Sequence, residues 1–478
     1  MTKIVRKKLA NQTVALVIEG PMGNGQGSGI LVSLEGLGLK EGATVPRAQG
    51  PEMVLTNNDV LIVTCEHCIP RGARAMPVEL PSGHRFMADA LVVDGRADVA
   101  LMKIRDYSWD SKNGYANKHD LSPVKVGKSS KIEQGANVLA VGAPLMAEYR
   151  FSMTEGIISK EKAYNSLSIL PTFLISAQIN PGNSGGLLAT ADTHEWIGMN
   201  SSGLFGAGGG NRGLNHAIRA DEIRFWIHRM IFKKHVVRDG ITSVVFMNIT
   251  PPIRGKLGLE TNRGAFISGL AQDDPGIGTA LKRTDVVLQV RIKRDGKTFK
   301  TIDVESPHDC IYALQLAAGQ EVEMDVWRQK SMETVSFTVP MELMPFSNQA
   351  SFDPFGMEVQ TYRKDKGVQV TNIHPQCPLY PYIQRYDVIT GVEDPADSTN
   401  FLPVTDYASF YRLANAHGTN LFLVETDDQD SLLPLERIQG GGQQHITTVA
   451  GIEFAPDIYD ESITDEPGLY LSHLLHMK

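Results

Sequence analysis

A mainly β protein of several domains is predicted on three observations. Between Val14 and Ile218, short apolar runs separated by Gly, Pro and Asn recur, among them Arg85–Asp94, Ala136–Pro144, Phe151–Ser159 and Leu167–Ile179. This is the spacing of an all-β barrel architecture. Helical periodicity first appears after Ala220, where Ile223, Trp226, Ile227, Met230 and Ile231 recur at i, i+3 and i+4, with Asp221 as the expected cap. Two similar segments then follow. Gly264–Ser268 with Asp285–Val290 is the first, and Gly367–Thr371 with Asp387–Val392 the second. Each leads into a short helical stretch, near Asp309–Ala317 and Asp406–Asn415, and then a strand, which predicts an internal repeat of α+β units.

At 478 residues the chain is too long for one core and suggests about three domains. A hydrophobic fraction of 42% and a charged fraction of 21% are ordinary for a globular protein. The net charge of −8 points away from nucleic acid, and it is localised. Ten acidic and two basic residues lie between Asp427 and Lys478, so the rest of the chain balances to zero. Lys3, Arg6, Lys7 and Lys8 precede an apolar run of only Val14–Ile18, too short for a signal sequence. No run approaches transmembrane length, and four cysteines make no disulfide framework. From these features a cytoplasmic chain without membrane insertion is expected.

The stretch with chemistry is Asn180-Pro181-Gly182-Asn183-Ser184-Gly185-Gly186-Leu187. A glycine at 182 permits backbone angles that turn its N–H and that of Ser184 toward one point, where an oxyanion would form. The Gly-x-Ser-x-Gly spacing also matches the nucleophile elbow of α/β-hydrolases, but an elbow needs a helix after the serine. Leu187-Leu188-Ala189 reads as a buried strand instead. Partners for Ser184 lie upstream: His67 ends the apolar run Leu61–Cys68, and Asp98 opens Ala97–Ile104. The order His, Asp, Ser is that of the chymotrypsin arrangement of the triad.

With Gly27-Ser28-Gly29, His67, Asp98 and Gly182–Gly186 in view, the chain resembles the HtrA/Deg family of trypsin-like serine proteases with C-terminal PDZ domains. Two departures are Cys65-Glu66-His67-Cys68, where the family has Asn-Asn-His-Val, and Leu187, where it has Pro. The resemblance implies a chymotrypsin-like double β-barrel protease domain over residues 1–236, with the triad between two six-stranded barrels. PDZ-like α+β domains at 237–342 and 350–432 follow, then an acidic tail at 433–478. Ser184 is expected as nucleophile, His67 as general base and Asp98 as its orienting acid, with oxyanion donors from the backbone N–H groups of Gly182, Asn183 and Ser184. Gln178, six residues before Ser184 where trypsin-like folds place the S1 base, is expected to contact substrate together with Ser202 and Gly203. Gly203–Gly210 is expected to be a loop in the region of the specificity loops.

Phe355-Gly356-Met357 fits a carboxylate-binding loop for peptide C-termini, and Ser243 stands where the first repeat would need a glycine. Cys65 and Cys68 flank His67, yet no second Cys/His pair completes a zinc set, so no metal is expected. Gly23–Gly29 lacks the Gly-Lys-Ser/Thr ending of a phosphate loop and reads as a turn into barrel strands. The expected activity is a serine endopeptidase acting on extended or unfolded polypeptides, without a cofactor. The family implies a homotrimer or larger homo-oligomer. The alternative is a catalytically silent PDZ scaffold or chaperone on a protease fold.

Overall fold

The computed structural model describes residues 3–450 apart from 21–22, 46–51, 71–72, 74, 110–120, 145–150, 166, 206–210, 240–243, 271–279, 345–356, 363–365, 374–382, 384–386, 395–396, 407–408, 411–412, 414–418 and 426–443. The chain divides into two compact units, one built on residues up to Val236 and the other on Val237–Met344 with the described residues that follow.

The first unit opens with a short helix, α1 (Lys3–Ala10), and then forms two closed six-stranded barrels. In the first barrel β1 (Thr13–Gly20), β2 (Gly23–Val32), β5 (Asp59–Thr64), β8 (Val99–Ser108), β7 (Arg85–Asp94) and β6 (Ala75–Glu79) are neighbours in that order. A two-stranded hairpin, β3 (Thr44–Val45) with β4 (Met53–Val54), lies in the long connection between β2 and β5. The second barrel runs β10 (Ser152–Ala163), β11 (Thr172–Ile175), β14 (Asn211–Arg219), β13 (Trp196–Phe205), β12 (Leu187–Thr190) and β9 (Asn137–Gly142). β13 continues through Phe205, so Ser202 and Gly203 stand in a strand rather than at the start of a loop.

Why these runs become barrel strands follows from burial. Every residue of β5 and of β12 is buried, which explains their uninterrupted apolar runs in place of strict alternation. The second barrel closes over a core that includes Val138, Ile158, Phe173, Ile175, Leu188 and Ile197. Helix α2 (Ala220–Lys233) turns Ile223, Trp226, Ile227, Met230 and Ile231 inward and stops at Lys234, whose φ of 56° breaks the helical path. Arg219 occupies the cap position without a side-chain bond. Asp221, expected there, lies in the first turn and accepts the N–H of Ser130 at 2.9 Å. The indole of Trp226 donates to Asp94 at 2.8 Å and ties the helix to the first barrel.

In the second unit two sheets repeat one plan. Val244–Met247, Ala265–Leu270, Val286–Arg294, Glu321–Arg328 and Ser331–Thr338 are successive neighbours, with Lys297–Asp303 hairpinned onto the third. Met357–Thr361, Val368–Ile373, Val388–Asp394, Thr419–Glu425 and Gln444–Ala450 follow the same order, with Asp397–Pro403 on the third. The last of these strands pairs along Thr419–Glu425, so the sheet reaches beyond residue 432, where the acidic tail was expected to begin. A helix at Pro307–Leu316, closed by a Ser306/Asp309 capping box, accompanies the first sheet.

Gly156 marks the tightest strand approach in the second barrel. A Cβ there would sit 2.2 Å from the backbone nitrogen of Ala177. Gly156→Ala is expected to lower stability by about 1–3 kcal/mol through overpacking, read from urea unfolding. An unchanged midpoint would show that β10 and the chain at Ala177 separate freely.

Candidate active site

Three turns carry the residues of interest. Asp98 closes a tight turn after β7: the carboxylate of Asp94 accepts the N–H groups of Arg96 and Ala97 at 3.0 and 3.2 Å, and the Asp98 N–H donates to the Gly95 carbonyl at 3.2 Å. This holds Asp98 at φ 54°, a left-handed conformation that costs a non-glycine residue about 1 kcal/mol or more and recurs at functional sites. His67 sits in the single 3₁₀ turn Glu66–Cys68 that ends β5. Ser184 lies in a turn in which Gly182 and Gly185 take φ of 97° and 81°.

The structure brings these turns together. His67 Nδ1 lies 2.8 Å from Asp98 Oδ1, and the His67 backbone N–H donates to the same oxygen at 3.2 Å. Asp98 is fully buried, whereas the His67 side chain keeps 26% of its surface exposed, so the ring faces the cleft with its acid behind it. Ser201, from β13, donates its hydroxyl to Asp98 Oδ2 at 3.1 Å. The carbonyl of Ser201 in turn accepts the Ser184 hydroxyl at 2.8 Å. The serine hydroxyl therefore rests on the Ser201 carbonyl.

The backbone of the serine turn sorts itself into used and unused donors. Asn183 N–H donates to the Asn180 carbonyl at 2.9 Å, Gly185 N–H to Asn200 at 2.7 Å, and Gly186 N–H to Asn183 at 2.9 Å. Between 182 and 186, only the N–H groups of Gly182 and Ser184 lack an acceptor among the described residues. This corrects the expectation for Asn183, whose N–H closes its own turn and cannot serve an oxyanion.

The remaining expected contacts are less closely tied. Ser202 and Gly203 lie beside this cluster on β13, paired with His216 and Asn215 of β14. Gln178 is exposed, with its carbonyl accepting the Thr154 hydroxyl at 2.8 Å, and no described bond joins its side chain to the cluster. Phe355, Gly356 and Ser243 lie outside the described residues, and Met357 begins a strand. Sequence reasoning missed Ser201 and Asn165, whose amide donates to the hydroxyls of Ser201 and Ser202 at 3.2 and 2.9 Å. The pair Ser201-Ser202 directly before Gly203 was the only available signal, and Asn165 left none.

The ligand atoms of Cys65, His67 and Asp98 lie within 4.8 Å of one another. That proximity is the His–Asp hydrogen bond with Cys65 packed behind it, and Cys65 gives its S–H to Asn200 at 3.4 Å.

Residues 52–199 match the family of trypsin-like peptidase domains. A "Probable periplasmic serine endoprotease DegP-like" of Brucella suis is 28% identical over 364 residues, covering 73% of this chain and 66% of that protein. A protein of the same name from Marinomonas sp. is 26% identical over 394 residues, covering 78% and 76%. The "Serine protease Do-like HtrA" of Lactobacillus helveticus is 29% identical over 297 residues, covering 60% and 66%.

Residues 52–199 thus match a trypsin-like peptidase domain, and the chain is similar over most of its length to HtrA/DegP serine endoproteases.

Among solved structures, the HtrA-type protease AlgW with a tripeptide shares the fold at a TM-score of 0.51 and 23% identity, covering 71% of this chain and 97% of that one. The expectation of a cytoplasmic chain is overturned by the Brucella and Marinomonas relatives, which are named periplasmic. That expectation rested on a short apolar run near residue 1 and a low cysteine count.

The electrostatics of this site follow from burial and pairing. Burial works to lower the His67 pKa, but the Asp98 carboxylate, helped by the Cys68 thiol, holds it well above the ordinary histidine value. Burial pushes the Cys65 thiol up, while the neighbouring Cys65 thiol draws Cys68 down. On β14, burial holds His216 down at about 4, so it is neutral beside Ser202 at neutral pH.

A general base must be unprotonated, so activity is expected to fall as pH drops through the raised His67 value. The same shift stabilises the fold at low pH and fades as pH rises through the folded-state value. Asp98→Asn removes the upward pull, so the acidic limb of the pH–rate profile should move to lower pH. The maximum rate should drop roughly 10⁴-fold as the tautomer is lost. A limb that stays in place would show that Asp98 does not set the histidine's proton affinity.

Proposed function

We propose that this chain is a serine endopeptidase that cleaves extended or unfolded polypeptides through an acyl-enzyme. Ser184 attacks the scissile carbonyl, His67 takes its proton and returns it to the leaving amine, and Asp98 fixes the imidazole tautomer. The tetrahedral oxygen is received by the N–H groups of Gly182 and Ser184. The observation that carries this reading is the joint one: an acid–base pair at 2.8 Å beside a serine turn whose two unused N–H groups belong to those residues. Room for an extended substrate also supports it. β12 pairs with β13 only at Trp196, Gly198 and Met199, which leaves Ser202 and Gly203 with an open edge where a peptide can add as a strand. Gln178, six residues before Ser184, is assigned to the S1 region.

The rival is a silent scaffold on the same fold, favoured by the resting bond from Ser184 to Ser201. A fluorophosphonate probe and a casein assay separate the two. The wild-type chain is expected to label and to cleave. Ser184→Ala should do neither while melting within a few degrees of wild type. Full casein cleavage by Ser184→Ala would remove the serine from the mechanism.

The repeated sheets of the second unit are read as PDZ-like domains at 237–342 and 350–432, with Phe355, Gly356 and Met357 receiving a peptide carboxylate. Their shared strand order supports this. The chain is further read as a homotrimer. Full-length Ser184→Ala is expected to bind peptides with free apolar C-termini, to lose that binding when they are amidated, and to scatter light as a trimer. Equal affinity for acid and amide would overturn the domain reading, and a monomer mass the assembly.

A further inference from the structure

We infer that Ser28 is a positioning residue for oxyanion stabilisation, an inference that rests on the endopeptidase reading above. Ser28 stands in β2 of the first barrel and is completely buried, and its hydroxyl and its backbone N–H and carbonyl are all hydrogen-bonded. Its hydroxyl donates to the Gly182 carbonyl at 2.6 Å and accepts the Ala143 N–H at 2.8 Å. Its backbone N–H donates to the Ser184 carbonyl at 2.8 Å, and its carbonyl accepts the Thr64 hydroxyl at 2.7 Å. One residue of the first barrel thus holds the carbonyls of both residues whose N–H groups are unused.

The consequence follows from peptide planarity. In the 182–183 peptide the carbonyl and the N–H point in opposite directions and rotate together. Ser28 holds the carbonyl end, and Asn180 accepts the Asn183 N–H at the other. The 184–185 peptide is held the same way, its carbonyl by the Ser28 N–H and its N–H by Asn200. The Ser184 N–H lies in the peptide between these two immobilised ones, the Gly182 N–H lies in the peptide directly before the first, and neither has an acceptor among the described residues. Gly182, at φ 97°, is free to turn if the carbonyl anchor is removed. Without the Ser28 hydroxyl, the 182–183 peptide loses its side-chain anchor and the buried Ala143 N–H loses its acceptor. The donors are then no longer set in place before charge develops, and preorganisation of donors is what makes an oxyanion site effective.

Ser28→Ala separates this role from general stability. The expected result is a fall in kcat of about 10²-fold, comparable to losing one oxyanion donor, with KM nearly unchanged. Affinity for a substrate-like peptide boronate, which forms a tetrahedral adduct on Ser184, should fall by a similar factor. Affinity for the matching peptide amide should stay level. Wild-type kcat and boronate affinity in Ser28→Ala, or a loss confined to KM, would overturn the inference. If the alanine variant does not fold, Ser28→Cys under reductant replaces the hydroxyl with a weaker donor of similar size. It should lower kcat and boronate affinity together, and wild-type values there overturn the inference equally. A wild-type chain that neither takes the fluorophosphonate nor cleaves casein sinks the endopeptidase reading, and this inference with it. Normal labelling and cleavage by wild type beside an unaffected Ser28→Ala sinks the inference alone.

Discussion

A fully buried carboxylate between two barrels sets the terms for everything around it. Asp98 has no exposed surface, and an ionised group in such a place is tolerable only with donors supplied from its surroundings. Two come from the first barrel, the ring and backbone of His67, and a third comes across from β13 through Ser201. The requirement therefore joins the barrels and orients the imidazole in the same act. It also places the Ser201 carbonyl where it receives the Ser184 hydroxyl, so the resting position of the serine follows from how the acid is satisfied.

Close backbone approach is the second condition. A Cβ on Gly185 would fall 2.1 Å from the Ser28 carbonyl and 2.3 Å from the Thr64 hydroxyl. The serine turn lies directly on β2 and β5, close enough for backbone groups of one barrel to hold those of the other. Side chains on both faces would hold the turn away and leave its peptides to water. The glycines are thus the reason that a strand of the first barrel takes part in shaping a turn of the second.

The second unit shows a different economy. The same strand order appears twice. In the first sheet Arg291 bridges Glu323 and Asp325, and Arg328 pairs with the buried Asp285. Such pairs fix strand register through bidentate geometry more than they add stability.

Local sequence determined a good deal here. Strand runs such as Arg85–Asp94 are visible because barrel strands bury apolar residues at a short period, and α2 because its apolar residues recur at 3.6. The repeat was legible in paired Gly–strand and Asp–strand segments. His67, Asp98 and Ser184 were legible as a set because each sits at the edge of an apolar run, in an order that one mechanism uses. What the chain alone could not reveal depends on contacts between residues far apart in sequence. Asn183 was assigned a donor role that its turn bond to Asn180 takes away, and a sequence does not show which N–H groups a fold has already used. Ser201 and Asn165 matter only through bonds to partners 103 and 36 residues distant, and Ser28 only through a carbonyl 154 residues away. A hydroxyl in a strand looks the same whether it faces water or a catalytic turn. Only closure of the two barrels decided which, because closure alone brings the acceptor within 2.6 Å and shuts the water out.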